Sequence, residues 1–539
     1  MCEDKCNSAP INLLDVKFHI ESPEYRTSFM KDRDRIMYSK PFRRLAGKTQ
    51  VYAAGYDDHA RNRLTHTLEV SQIARTIAVA LELDIHLVEA IALGHDLGHT
   101  AFGHAGERQL HEILNFNNDK INRMLDIASL LENPIILESK GFKHNLQGVR
   151  IIIDLEGDNL LGEDKITPYT LVGIWYHSKV SWKKDGQVPS HYQKYVDKLK
   201  LSNVNENIAW SLEGLVVAMA DEIAQRHHDL EDAVVSHFLS QDEVIIILSN
   251  LLSESNILEK NKHDYSYIRD TTTNGFLYKL SGFIVNLLIN DLVSNSKLLL
   301  KNINFNAIKL IPNINIEEAK MLINYSDPIK TFDENLQKKL KNVILNSQSV
   351  KRMDSKGRFI IRRLVQAYIT TPQQMPNNTI NAIYREYIRN QLSAIRKEIQ
   401  EIQKKSENIK SHSEISNVNE YVIDKNMLNS SILKRRNTLN DQLKILERIL
   451  INEDFNIFKS YPDAREALES CLKSEAKDGD AIKPEIKLCE KEEHHLIYNK
   501  LLFKISLIRV ICDYIAGMTD SYAENEYRKL YALTSDIMG

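Results

Sequence analysis

From Ile36 to Val88 the apolar residues recur at helical spacing, with few breakers. In the stretch HTLEVSQIARTIAVALEL, Leu68, Ile73, Ile77 and Leu81 fall about one helical turn apart. Strong helix formers follow Glu69, and Asp84 ends the run in a short link to a second helical segment, IHLVEAIALGHDLGH. There Val88, Ile91 and Ala92 precede His95. A third segment, AWSLEGLVVAMADEIAQRHHDLEDAVVSHFL, runs from about Ala209 with one apolar and one acidic face. Strand signals are weak throughout. The pattern predicts an all-α bundle.

The character of the pattern changes along the chain. The stretch from Ile245 to Asn346 is rich in Leu, Ile, Asn and Lys and carries no chemical signature. After Pro376, Ile388, Leu392, Ile395, Ile399 and Ile402 alternate spacings of four and three, which is a heptad seam. A polar stretch, KKSENIKSHSEISNVNE, interrupts it, and Leu439, Leu443, Leu446 and Leu450 resume the spacing. Two readings fit: an antiparallel coiled hairpin, or two ordinary amphipathic helices joined by a loop. The helical pattern returns from His494 to the end. The expected division is an N-terminal segment (1–30), a core bundle (31–240), a helical region completing it (241–378), a coiled-coil hairpin insertion (379–452) and a C-terminal helical region (453–539).

Composition narrows the class. The 539 residues are 43% apolar, enough for a substantial core, and only 19 glycines and 12 prolines disfavour an all-β design with many tight turns. A formal net charge of -3 favours neither nucleic acid nor membrane, so any polyanion site must be a local arrangement of cations. Cys2, Cys6, Cys471, Cys489 and Cys512 form no tight paired motif, which suits reduced thiols better than a disulfide framework. The start, MCEDKCNSAP, is polar and acidic, unlike a signal peptide. The run GFIVNLLINDLV is too short to span a bilayer and carries Asn and Asp. A cytoplasmic protein without a membrane partner is the expectation.

The chemistry is concentrated in GHDLGHTAFGHAGE, Gly94 to Glu107, which holds three histidines and two carboxylates. A water-facing helix usually takes Lys, Glu and Arg instead. His95 and Asp96, side by side at a helix end, can offer one cation an imidazole nitrogen and a carboxylate oxygen. Two more donors are available: His66 at the start of the preceding helix, and Asp221 in AMADEIAQ after an apolar run. A His, His-Asp and Asp set drawn from three helices of a bundle would hold one divalent metal.

These segments resemble the HD-domain phosphohydrolases, and within them the deoxynucleotide triphosphohydrolases of the dGTPase type. The likeness is carried by KDRDRIMYSKPFRRLAGKTQVY, RNRLTHTLEV, GHDLGHTAFGHAGE, ADEIAQRHHDLEDAV, GRFIIRRLVQAYITTPQQMP and DYIAGMTDSYA, in that order, over roughly Lys31 to Ala523. FRRLAGKTQ and HTAFGHAGE are the segments specific to this branch. The resemblance implies an HD-domain helical core with helical C-terminal extensions, and metal ligands at His66, His95, Asp96 and Asp221. It implies a catalytic pair of His104 and Glu107, in which the carboxylate orients the imidazole. His99 and His144 then face the substrate phosphates, Arg63 makes a phosphate contact, and Gln50 meets the sugar 3'-OH. Tyr176 lies near the phosphates and sugar, and Asp229 near the 3'-hydroxyl end of the ribose.

The implied reaction is hydrolysis of dGTP, and of other dNTPs, at the α-phosphate to deoxynucleoside and tripolyphosphate. The implied cofactor is one divalent ion, with Mn, Mg, Fe, Co and Ni all compatible. The implied partners are the dNTP substrate, further copies of the chain in a homo-oligomer such as a hexamer, and a nucleotide or single-stranded DNA effector. Two features depart from the family: Gln225 replaces a tyrosine that packs on the sugar, and Trp175-Tyr176 replaces a Lys-Tyr pair. No P-loop is present. The rival readings are another HD-type nucleotide phosphohydrolase or phosphodiesterase, and a nucleotide-sensing regulator with the same fold.

Overall fold

The computed structural model describes residues 25–49, 61–156, 166–177, 190–192, 195, 211–269, 271, 273–301, 322–413, 434–444, 446 and 492–531. Every regular element among them is helical, with one isolated antiparallel bridge between Thr49 and Asn62. The all-α expectation is met. Thr27 caps the first helix, α1 (Ser28–Tyr38), by accepting a hydrogen bond from the Met30 amide. Asn62 does the same for α2 (Arg63–Leu81), its Oδ1 accepting from Thr65 N at 3.0 Å.

The buried face of α2 comprises Arg63, His66, Thr67, Val70, Ser71, Ile73, Ala74, Ile77 and Ala78. Leu68 is 52% exposed, so the stripe read from the sequence is misphased at its first member. Ile73 lies five positions after Leu68, and at 3.6 residues per turn the two point apart. The true stripe carries Arg63 and His66 inward together with the apolar residues. Asp84, read as the end of α2, is the cap of the next helix, α3 (Ile85–Gly94), where its Oδ1 accepts from His86 N and Leu87 N. Nearly every side of α3 is buried, which suits its almost wholly apolar sequence.

A left-handed pair, Phe102 (φ 60°) and Gly103 (φ 53°), starts α4 (Gly103–Leu114). A non-glycine residue adopts this conformation at a cost, and here the Phe102 N–H donates to Asp520 Oδ1 at 2.8 Å. The short α5 (His144–Arg150) and α6 (Pro168–Tyr176) follow. Then comes α7 (Leu212–Val235), capped by Ser211 and matching the acidic third segment of the sequence. Next are α8 (Thr273–Lys301), α9 (Asp327–Leu345), α10 (Gln348–Thr370), α11 (Asn377–Ser413), α12 (Glu492–Ala516) and α13 (Asp520–Tyr531).

The chain divides into two compact units. One takes in the described residues up to Asn115, those of Lys140–Leu364, and those from Ile515 onward. Its main core lies where α2, α3, α7, α8 and α9 meet, around Ile77, Ile91, Val216, Ile284, Leu288 and Phe332. A buried ion pair joins α7 to α9, with Arg226 Nε donating to Asp333 Oδ1 at 2.7 Å and Nη2 to Oδ2 at 3.1 Å. A second cluster, including Ile36, Leu93, Leu146, Ile174 and Trp175, packs α1, α5 and α6 on the other side of α3.

The apolar run of α8 is longer than the sequence reading allowed. Gly275–Lys301 is a 27-residue helix apolar enough by length and composition to cross a bilayer, even though it carries Asn286, Asn290 and Asp291. Phe276, Leu280, Ile284, Leu288 and Leu292 are buried against the main core, as in the core helix of a globular bundle.

The other unit contains Phe116–Ser139 and Val365–Tyr514. On α11, Ile388, Leu392 and Ile395 are buried, whereas Ile399 and Ile402 are half-buried. Residues 434–444 are helical, Leu439 is buried, and Arg435 Nε donates to Glu398 Oε1 at 3.0 Å. The link between these helices, residues 414–433, and Leu450 lie outside the described residues.

One glycine sets how closely the site elements approach. A Cβ on Gly98, in the turn after α3, would lie 1.9 Å from the His144 carbonyl oxygen and 2.3 Å from the Gly148 nitrogen. Both are backbone atoms of α5 and cannot swing aside. Gly98→Ala is therefore expected to push α5 off the turn at a cost of about 1–3 kcal/mol. A thermal melt checks this, and an unchanged midpoint would contradict the close approach.

Candidate metal centre

Two helices and the turn that follows a third bring the metal donors together. The first turn of α2 supplies His66, the turn after α3 supplies His95 and Asp96, and the middle of α7 supplies Asp221. His66 Nε2 lies 3.0 Å from Asp221 Oδ1 and 4.0 Å from Asp96 Oδ2. His95 Nε2 lies 3.4 Å from Asp96 Oδ1 and 3.9 Å from Asp221 Oδ1. Bonds of about 2.1 Å to a common ion put neighbouring donors about 3–3.5 Å apart. His66, His95 and Asp96 lie mutually close enough to hold one divalent cation, and Asp221 approaches it from the side of the two histidines.

The hydrogen bonds support the same fit. His95 Nδ1 donates to the Ala92 carbonyl at 2.7 Å, which turns the lone pair of Nε2 toward the other donors. That Nε2 is buried and has no hydrogen-bond partner, a costly arrangement unless something else satisfies it. Burial opposes ionisation of Asp96, but His95, His99 and Arg63 outweigh it and hold its carboxyl well below the usual carboxylate range. Asp221 is likewise lowered against burial, by its bond to His66 and the charges of His95 and His66. Ionised carboxylates are the state a cation needs, and a cation bound there would take the place of the positive charge on the imidazoles.

A second group adjoins the first. Arg63 Nη1 donates to Asp96 Oδ2 at 2.7 Å, while its Nε and Nη2 are buried without partners. His99 Nε2 lies 3.0 Å from Asp96 Oδ1, and its ring stacks on His144 at 3.9 Å between centroids. His104 stands edge-on to His99 at 5.7 Å. Its side chain reaches solvent, while desolvation by the protein around the ring and the charge of Arg63 lower its pKa to about 4. A neutral imidazole there can accept a proton.

The family resemblance implies Glu107 as the orienting partner of His104. The structure differs: Glu107 Oε2 accepts from His144 Nδ1 at 2.9 Å, and Lys143 Nζ lies 3.5 Å from Oε1. The hydrogen-bonded acid–imidazole pair is Glu107–His144. His104 comes near the Glu107 charge without bonding to it, because the next turn of α4 aims the carboxylate at the start of α5.

The remaining expected residues are spread unevenly. Gln50 lies outside the described residues. Tyr176 is 8% exposed and packs in the second cluster beside the wholly buried Trp175, so both aromatic side chains serve the core. On α7, Asp229 is buried two turns beyond Asp221, and burial raises its pKa to about 6 against the pull of Arg226. Gln225 is half-buried one turn beyond Asp221.

Sequence reasoning missed four further groups. His177 directly follows Tyr176; it donates through Nδ1 to the Ile174 carbonyl at 2.7 Å and stands edge-on to His95 at 5.1 Å. Lys48 is buried, with Nζ donating to the carbonyls of His99 and Ala516. Glu69 and His228 bond to each other, and His228 also meets His66. The signal for the last pair was present in the spacing. Glu69 is three residues after His66, and His228 is seven after Asp221, so each shares a helix face with a donor.

A helical bundle that gathers two histidines and two aspartates in this way belongs to the class of HD-type phosphohydrolases. Residues 63–199 match the HD domain, and residues 323–395 and 503–529 match the phosphohydrolase-associated domain. A deoxyguanosinetriphosphate triphosphohydrolase-like protein of Bartonella tribocorum is 33% identical over 382 residues, covering 67% of this chain and 82% of the relative. One of the same description from Nitrosomonas europaea is 30% identical over 378 residues, 69% and 89% of the two chains. Another, from Clostridium perfringens, is 43% identical over 224 residues, 42% and 52% respectively. The chain belongs to the deoxyguanosinetriphosphate triphosphohydrolase-like family of HD-domain phosphohydrolases.

Proposed function

We propose that the protein hydrolyses dGTP, and other dNTPs, at the α-phosphate to release a deoxynucleoside and intact tripolyphosphate. The carrying observation is that the four donors adjoin unpartnered atoms of Arg63 and the His99–His144–Glu107 group, with His104 alongside. A divalent ion held by His66, His95, Asp96 and Asp221 would polarise an α-phosphate oxygen and help acidify water. Arg63 then balances developing charge on the phosphates through Nε and Nη2, and His99 and His144 line the same path. His104 takes the proton of the attacking water and delivers it to the 5'-oxygen as the bond from phosphorus to that oxygen breaks. Glu107 holds His144 in place. The reading extends to a cytoplasmic homo-oligomer responsive to a nucleotide or single-stranded DNA effector, supported by the family resemblance alone.

The test is product analysis of the purified protein with dGTP, the other dNTPs and several divalent metals in labelled water. Deoxyguanosine with unbroken tripolyphosphate, the label on the tripolyphosphate, is expected. Orthophosphate or pyrophosphate as first product, or label on the nucleoside, moves the protein to another phosphohydrolase type.

Selection at the sugar gives a finer expectation. Gln50→Ala should weaken turnover of ordinary dNTPs by about 1–3 kcal/mol of transition-state binding and that of 3'-deoxy analogues much less. Equal losses on both substrates, measured as kcat/KM, remove the 3'-OH role from Gln50.

A further inference from the structure

Beside the metal donors lies a second cluster, Glu69, His227 and His228, whose ligand atoms also lie close enough together to hold an ion. Two hydrogen bonds decide its role. His66 Nδ1 lies 3.3 Å from His228 Nδ1, and His228 Nε2 is hydrogen-bonded to Glu69 Oε2. If His66 gives the lone pair of Nε2 to a cation, its proton sits on Nδ1 and is donated to His228. His228 must then accept at Nδ1 and carry its own proton on Nε2, where Glu69 accepts it. One tautomer of each ring satisfies every contact. In that state His228 Nε2 has no lone pair left for a second ion. Arg61 Nε, 3.5 Å from Glu69 Oε1, also competes with any cation there.

We infer that Glu69 and His228 form an outer relay that fixes the tautomer and ring orientation of His66, and that they do not form a second metal site. The inference rests on the reading of His66 as a ligand. Outer partners of a metal-bound histidine commonly change metal affinity by about 10- to 100-fold when removed. Arg61 holds Glu69 in place from α2's own N-terminal side, and Glu231 Oε2 holds Arg61 at 2.5 Å. His227 lies beside the relay, its Nε2 3.5 Å from Glu69 Oε2 and its ring edge-on to His228 at 4.2 Å, and it makes no contact with His66 that the tautomer argument needs.

The experiment is titration of the metal-stripped full chain with Mn2+, followed by isothermal calorimetry and checked by ion counting. His228→Ala and Glu69→Ala should each weaken binding about 10- to 100-fold. His228→Asn should recover most of that loss, since an Asn oxygen stands where Nδ1 stood and can accept from His66. A purely packing role predicts no such recovery, and melting of the stripped variants reveals any that fail to fold. His227→Ala should bind Mn2+ as the wild type does. Unchanged affinity in both alanine variants overturns the relay, as does a second ion lost from His227→Ala. Full affinity in His66→Ala would instead remove His66 as a ligand, which separates failure of that reading from failure of the relay.

Discussion

His95→Ala is expected to lose bound metal and hydrolytic activity together. The side chain is wholly buried, its Nδ1 is spent on the Ala92 carbonyl, and its Nε2 has no protein partner. Truncation therefore removes a donor and little else, so the folded chain should persist. Asp96→Ala should lose metal as well, with a further penalty. It strips the carboxylate from Arg63, which is 1% exposed, and an uncompensated buried guanidinium costs about 3–5 kcal/mol. Asp96→Asn keeps a hydrogen-bond acceptor for Arg63 and is the cleaner variant. Ion counting beside a thermal melt separates the effects. Full occupancy in a folded His95→Ala protein would refute the ligand assignment.

His104→Ala is the second large expectation, and it runs the other way on metal. Among the described residues no donor of the metal group bonds to His104, whose ring stands edge-on to His99. The variant should keep its ion and still bind dGTP, yet turn over at least about a hundredfold more slowly, as when a general acid or base is lost. Metal lost from His104→Ala would place the ring among the ligands. Glu107→Gln should give a partial loss, because the amide can hold His144 but cannot stabilise its cation. That loss should not add to the loss in His144→Ala, since the two side chains share one hydrogen bond. Full additivity would mean that Glu107 acts on His104 directly.

Much of the site was legible because it is written in residue types and short spacings. Imidazoles and carboxylates crowded into Gly94 to Glu107 have no use on a water-facing helix. The inward placement of His66 and Asp221 follows from their sharing helix faces with apolar neighbours. The all-α class followed from the three-four spacing, and so did α3 and most of α7. Errors came where a period was counted from the wrong residue, as at Leu68, or where a polar residue was assigned to the helix it follows rather than the one it caps, as at Asp84.

What the sequence determined by itself is the donor set and the helices that carry it, because spacing within one helix fixes which side chains share a face. What the tertiary structure decided is which groups meet between helices. Glu107 was readable as an orienting acid, but its partner is His144 because the Gly98 turn lets α5 approach closely enough to bond it. Asp520, more than four hundred residues along the chain, secures the left-handed turn ahead of His104. Such pairings depend on how helices pack, and packing is set by the shape of whole faces rather than by any local pattern.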